Sequence, residues 1–148
     1  MKHVYKATAT KLNEGLQVDT SSRSFKILYD EPKPMGGTDK GINPVEALLT
    51  SLGACQAIVV AAFADFHQFK YEGFHVEIEG DLDPDGFTGR NPEARKGFTE
   101  IRYKMYFKTN ESKEKTEAFA DFVEKTCPVT DTLVNGVDIV RTGIVIEA

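Results

Sequence analysis

From Ala47 to Ala64 the chain runs eighteen residues without a charge, and this stretch limits the fold more than any other. Its length touches the threshold for crossing a bilayer. Its content argues against that: Thr50, Ser51, Gly53, Gln56 and six alanines lie inside it, and Glu46 and Asp65 close both ends. A buried helix of a soluble protein is the better reading. The start of that helix is well marked. Asn43 is a good N-cap, Pro44 suits the first helical position, and Glu46 stands where a capping box wants it. The pattern predicts a helix from about Pro44 to Phe66, roughly 34 Å long at 1.5 Å per residue. Leu48, Leu52, Cys55, Val59, Ala62 and Phe66 form one apolar stripe, and Ala54, Ala57, Ala61 and Ala64 a second stripe of small side chains. Leu49, Ile58, Val60 and Phe63 fill much of what remains, so the helix must be covered nearly all round. The alanine stripe would let another helix approach closely.

The rest of the chain supplies material to cover it. With 148 residues, 41% of them hydrophobic, the chain is long enough for one core and too short for two full-sized ones, so a single domain over residues 1–148 is expected. Segments 4–10, 16–20 and 24–29 read as strands, and the Pro/Gly-rich stretch 30–41 as a loop. Phe74, Val76 and Ile78 alternate with polar residues, as do Ile101, Tyr103, Met105 and Phe107 with theirs, so both stretches read as strands with one wet face. Between them, 81–97 reads as a charged loop. Ser112 caps a second helix running to about Lys125, with Ala118, Phe119, Phe122 and Val123 on its apolar face. Cys127-Pro128 breaks it, residues 128–134 form a short third helix ending at Asn135-Gly136, and 137–147 reads as a closing strand. The class is α+β.

Composition also excludes. A net charge of -5 offers no attraction to phosphate backbones, so nucleic acid is not an expected partner. The residues from Met1 to Lys6 carry no apolar signal core, and the expected location is cytoplasmic. His3, His67 and His75 show no ligand spacing with either cysteine, so no metal is expected. Gly36-Gly37 lacks the Lys-Ser/Thr of a phosphate loop, and no cofactor is called for.

The two cysteines are the remaining source of chemistry. In a reducing compartment they are inert core thiols, a redox pair, or two ligands of an incomplete metal site. Cys127 precedes a proline at the first turn of a short helix. There it is either a thiolate favoured by free N–H groups and the helix dipole, or a plain helix stop. Cys55 lies twelve residues into its helix, beyond the reach of the dipole. An unperturbed thiol of pKa about 8.5 is only about 3% thiolate at neutral pH. Burial would lower that fraction further, so a functional Cys55 needs a cation or strong donor from elsewhere. From spacing alone Cys55 reads as a buried structural thiol.

The run Gly41-Ile42-Asn43-Pro44-Val45-Glu46-Ala47-Leu48-Leu49, the Leu52-Gly53-Ala54-Cys55 that follows, and the downstream Cys127-Pro128-Val129 resemble the OsmC/Ohr superfamily of thiol-dependent hydroperoxide reductases. The order of elements fits across nearly the whole chain. The loop Glu31–Gly41 looks more like the less characterised OsmC-like branch. The resemblance implies an intertwined homodimer with antiparallel sheets around long central helices, and two active sites at the subunit interface. It implies that Cys55 attacks an organic hydroperoxide and becomes sulfenic acid, that Cys127 resolves it to a disulfide, and that a dithiol reductant reopens the bond. The family's glutamate directly after Asn-Pro is Val45 here, with Glu46 next; nine residues on, Cys55 would be roughly 180° around the helix from Glu46. The family also uses an arginine from the N-terminal strands, and Arg23 is the sole arginine before Cys55. Cys55, Cys127, Arg23 and Glu46 are therefore the expected site residues. The competing expectation is a non-catalytic OsmC-like protein that senses redox state or holds a small apolar ligand.

Overall fold

The computed structural model describes all 148 residues and divides into two compact units, Met1–Thr50 and Ser51–Ala148. The element order is β1 (Thr8–Lys11), β2 (Val18–Ser22), β3 (Phe25–Tyr29), α1 (Pro44–Phe63), β4 (Gly73–Asp81), α2 (Pro84–Thr88), β5 (Glu100–Lys108), α3 (Lys113–Thr126) and α4 (Pro128–Asn135). It is α+β, with two antiparallel sheets and one long helix.

In the first unit, β1, β2 and β3 form a meander in that order. Val18 faces Lys11 on one side and Tyr29 on the other, and Ser22 pairs with Phe25 across a two-residue turn at Arg23-Ser24. Arg23 adopts φ 55°, a left-handed conformation unusual for a residue with a Cβ. The first strand is shorter than the composition of 4–10 predicts, because residues 1–7 find no ladder partner. After β3 the chain folds onto the buried carboxylate of Asp30. That group accepts hydrogen bonds from the backbone N–H of Glu31, Thr38 and Lys40 and from the Thr38 hydroxyl. Two glycines make the fold of this loop possible. A Cβ on Gly37 would stand 1.9 Å from the Glu31 carbonyl oxygen, and one on Gly41 would stand 2.2 Å from that of Leu28.

In the second unit, β4 and β5 form a two-stranded ribbon from Gly73↔Lys108 to Asp81↔Glu100. Phe74, Val76 and Ile78 share its inner face with Phe107, Met105 and Tyr103, while Glu77, Glu79, Lys104 and Arg102 share the other. Gly53 of α1 packs against this ribbon: a Cβ there would meet Ile78 Cδ1 at 3.0 Å and Val76 Cγ1 at 3.3 Å. The core joins Leu52, Val59, Val60 and Ala64 to Phe69, Phe119, Val123 and Cys127. Phe69 stacks on Phe119 with ring centres 4.7 Å apart, and Phe63 meets Phe122 edge-on at 5.1 Å. At the end of the ribbon joined by residues 82–99, Arg102 donates to the carboxylates of Glu79, Asp81 and Glu100.

Three expectations are corrected: the end of the long helix, the loop 81–97 and the closing strand. The long helix ends at Phe63 rather than Phe66, because Gln68 turns left-handed at φ 53° and Phe69 N–H reaches back to the Ala64 carbonyl at 2.8 Å. Its buried face is Leu52, Gly53, Gln56, Val59 and Val60, whereas Ala54, Ile58, Ala61 and Ala62 lie open. Part of the stretch 81–97 is helical: Asp83 caps α2 by accepting from Asp85 N–H, with Pro84 at its first turn. The segment 137–147 pairs with no strand of this chain and is exposed throughout, since β-branched residues form a strand only where a ladder partner exists.

Candidate active site

The cysteines that stand seventy-two positions apart in sequence meet in the second unit. Cys55 sits on α1 at the border between the buried face and the open one, half-buried. Cys127 is the residue between two helices. Its backbone N–H closes α3 onto the Val123 carbonyl at 3.0 Å, and its own carbonyl receives Asp131 N–H from α4 at 3.0 Å. Pro128 follows at the first helical position, where a missing N–H costs nothing. Residue Cys127 has 0% of its surface exposed. Both thiols are free, and Cys55 packs against the buried core cluster that includes Cys127.

The electrostatics of the pair are unequal. Burial pushes the Cys55 thiol up, and the bond it makes to the neighbouring sulfur pushes the same way, against the Val129 N–H. Burial also opposes a charge on Cys127. There it is outweighed by hydrogen bonds from Cys55, from Thr130 and from the Val129 N–H, which together bring the thiol below its ordinary value. Thr130 N–H donates to Cys127 Sγ at 3.4 Å, the geometry of a helix N-cap with sulfur as the capping atom. The Tyr103 phenol of β5 lies near this sulfur. It is kept protonated first by burial and then by its bond to the Glu124 carboxylate of α3.

An open groove of about 500 Å³ runs past Cys55. Ala54, Ile58, Ala62, Phe63, Pro128 and Val129 line it, so its walls are almost wholly apolar. A compound with an alkyl body and one polar reacting end suits such a groove better than a charged one. The next residue along α1, Gln56, is fully buried, and neither atom of its amide has a partner within the chain.

The other two expected site residues lie in the first unit. Arg23 stands at the β2–β3 turn with its guanidinium 4.9 Å from the centre of the Phe25 ring. Glu46 completes the capping box: its carboxylate accepts Asn43 N–H at 2.9 Å, and Asn43 Oδ1 accepts Glu46 N–H at 2.8 Å. No group of three or more His, Cys, Asp or Glu side chains converges as a metal site would need. Sequence reasoning passed over Thr130, Tyr103, Glu124 and Gln56. Thr130 was within reach, because a side-chain cap on Cys127 takes the backbone N–H three places on. Tyr103 and Glu124 become neighbours only through tertiary packing.

The family model described as OsmC-like protein matches residues 37–141. A protein of Mycoplasma genitalium named hydroperoxide reductase is 30% identical over 135 residues, covering 90% of this chain and 89% of the relative. The protein of the same name from Mycoplasma pneumoniae matches with the same identity and the same coverage. Among solved structures, an OsmC-like protein from Mycoplasma pneumoniae superposes with a TM-score of 0.77 at 26% identity, covering 90% of this chain and 89% of that one. The chain belongs to the OsmC-like family.

Proposed function

We propose that this protein is a thiol-dependent peroxidase that reduces organic hydroperoxides by a two-cysteine cycle. The observation that carries the reading is the packing of two free thiols into one core, one of which also lines an apolar groove. The thiolate of Cys55 attacks the terminal oxygen of the hydroperoxide; the S–O bond forms, the O–O bond breaks, and the alkoxide leaves to become an alcohol. The resulting sulfenic acid condenses with Cys127, expelling water and forming a disulfide, which a dithiol reductant returns to two thiols. The names carried by the two Mycoplasma relatives support the substrate class. In this reading the protein works in the cytoplasm as a homodimer, without a membrane or nucleic-acid partner. Arg23 and Glu46 keep roles on the family resemblance alone, tested by the rate of Cys55 oxidation in Arg23→Ala and Glu46→Gln.

The test is stopped-flow loss of an alkyl hydroperoxide with a dithiol reductant. Cys55→Ser is expected to abolish turnover, and Cys127→Ser to permit one oxidation of Cys55 without a disulfide. Equal rates for wild type and Cys55→Ser would overturn the reading. One observation favours the second reading, a redox sensor or apolar-ligand carrier without turnover: the Cys55 thiol is pushed up, not down. That reading expects slow reaction with peroxide and retention of an apolar probe by Cys55→Ser.

A further inference from the structure

The groove beside Cys55 has no charged residue in its walls, and apart from the thiol itself only Ser51 and Thr126 bring polar side chains to it. In the peroxidase reading that scarcity matters. When the O–O bond of a hydroperoxide breaks, the oxygen that stays with the alkyl group departs with a negative charge, and an apolar wall gives it nothing in place of water. A donor aimed at that oxygen favours the transition state over the ground state, because the charge exists only once the bond is breaking.

Ser51 stands where such a donor is needed. It lies four residues before Cys55 on α1, one turn toward the N-terminus and on the same face. The Cα–Cβ bonds of an α-helix lean toward the N-terminus, so the Cys55 side chain leans over the turn that carries Ser51. Side chains so spaced have Cβ atoms about 5–6 Å apart. A sulfur about 3 Å from the oxygen it attacks and a hydroxyl about 2.8 Å from the oxygen it serves fit one O–O group into that interval. The hydroxyl is also unengaged. That of the preceding residue, Thr50, is turned back onto the Ala47 carbonyl at 2.9 Å; that of Ser51 makes no such bond, and the residue is exposed. Thr126 closes α3 on the other wall and has no fixed helical register with Cys55.

We propose that Ser51 is a further catalytic residue of this groove, the hydrogen-bond donor to the departing oxygen of the hydroperoxide; this rests on the peroxidase reading. Cys55, as its thiolate, gives an electron pair to the terminal oxygen. The S–O bond forms, and the O–O bond breaks with its pair on the oxygen that bears the alkyl group. That oxygen accepts a hydrogen bond from the Ser51 hydroxyl as its charge grows, takes a proton from water, and leaves as the alcohol. The hydroxide left behind balances the proton that Cys55 gave up on ionising. Cys55 is oxidised to the sulfenic acid, the peroxide is reduced, and Ser51 ends as it began.

The experiment is single-turnover oxidation of Cys55 in the full chain, quenched with a maleimide and read by intact mass. Two oxidants are compared: tert-butyl hydroperoxide, which expels a strongly basic alkoxide, and peracetic acid, which expels a weakly basic carboxylate. Ser51→Ala changes an exposed helical position to the best helix former, so the fold is kept. It is expected to slow oxidation by tert-butyl hydroperoxide about tenfold, the scale of one hydrogen bond, and oxidation by peracetic acid by less than about threefold. Ser51→Thr restores the hydroxyl and is expected to restore the wild-type ratio of the two rates. A merely structural role for Ser51 would slow both oxidants alike. Alkylation of Cys55 by iodoacetamide, which expels no oxygen, reports on the thiol alone; a tenfold loss there in Ser51→Ala would overturn the inference. If Ser51→Ala slows both oxidants equally or neither, or if Thr126→Val shows the selective loss in its place, the inference falls and the peroxidase reading stands. If tert-butyl hydroperoxide leaves Cys55 of the wild type unoxidised, the reading itself falls.

Discussion

At the scale of single residues, the buried carboxylate of Asp30 fixes the loop that follows β3. Four donors converge on it, and the Thr38 hydroxyl, the largest contribution, together with three backbone N–H groups holds its pKa at about 2. A carboxyl depressed in the folded state stabilises the fold above its unfolded pKa, and that contribution is lost as pH falls through the folded value. Wild type is therefore expected to lose stability between about pH 4 and pH 2 in acid titrations followed by circular dichroism. Asp30→Asn is expected to melt lower at neutral pH and to show a flatter acid limb over the same range. Asp30 was not visible as a special residue in the sequence, where it reads as one more polar member of a Pro/Gly-rich loop. Cys127 was visible, because a cysteine before proline at a helix start is a local pattern. Thr130 was not singled out, and the bond of its backbone N–H to the Cys127 sulfur needed the structure.

At the scale of elements, α1 shows which features sequence patterns specify and which they leave open. Its start is set within four residues by the reciprocal bonds of Asn43 and Glu46, so it was legible. Its end depends on the left-handed turn at Gln68, which no glycine announces. Its faces were left open because a helix that is apolar on nearly every side carries no phase; within one copy the ribbon takes the face holding Gly53. Two changes probe this packing. Phe119→Ala empties a ring that contacts Phe69, His67 and Phe107, and is expected to cost about 3–5 kcal/mol in denaturant unfolding. Gly53→Leu must displace the ribbon or the helix, and is expected to leave little folded protein as judged by near-ultraviolet circular dichroism.

At the scale of the whole molecule, the chain leaves much apolar surface uncovered. Only 28% of the eighteen-residue apolar window of α1 is buried by its own chain. Ile58 is 67% exposed and Ile139 95% exposed. The segment 137–147 has the composition of a strand and no partner, and this is why the sequence reading of a closing strand does not appear within one copy. In the homodimer we propose, these surfaces are covered by the second copy. Light scattering is expected to give about twice the 16.4 kDa chain mass, and removal of residues 137–148 to lower it. The open edge has a practical consequence. Thermal tolerance will depend on dose, rising as the preparation is concentrated, because every subunit sheltered by a mate is withdrawn from the unfolding equilibrium. Dilute preparations, by contrast, will expose a sticky, protease-accessible tail prone to join whatever extended backbone it meets.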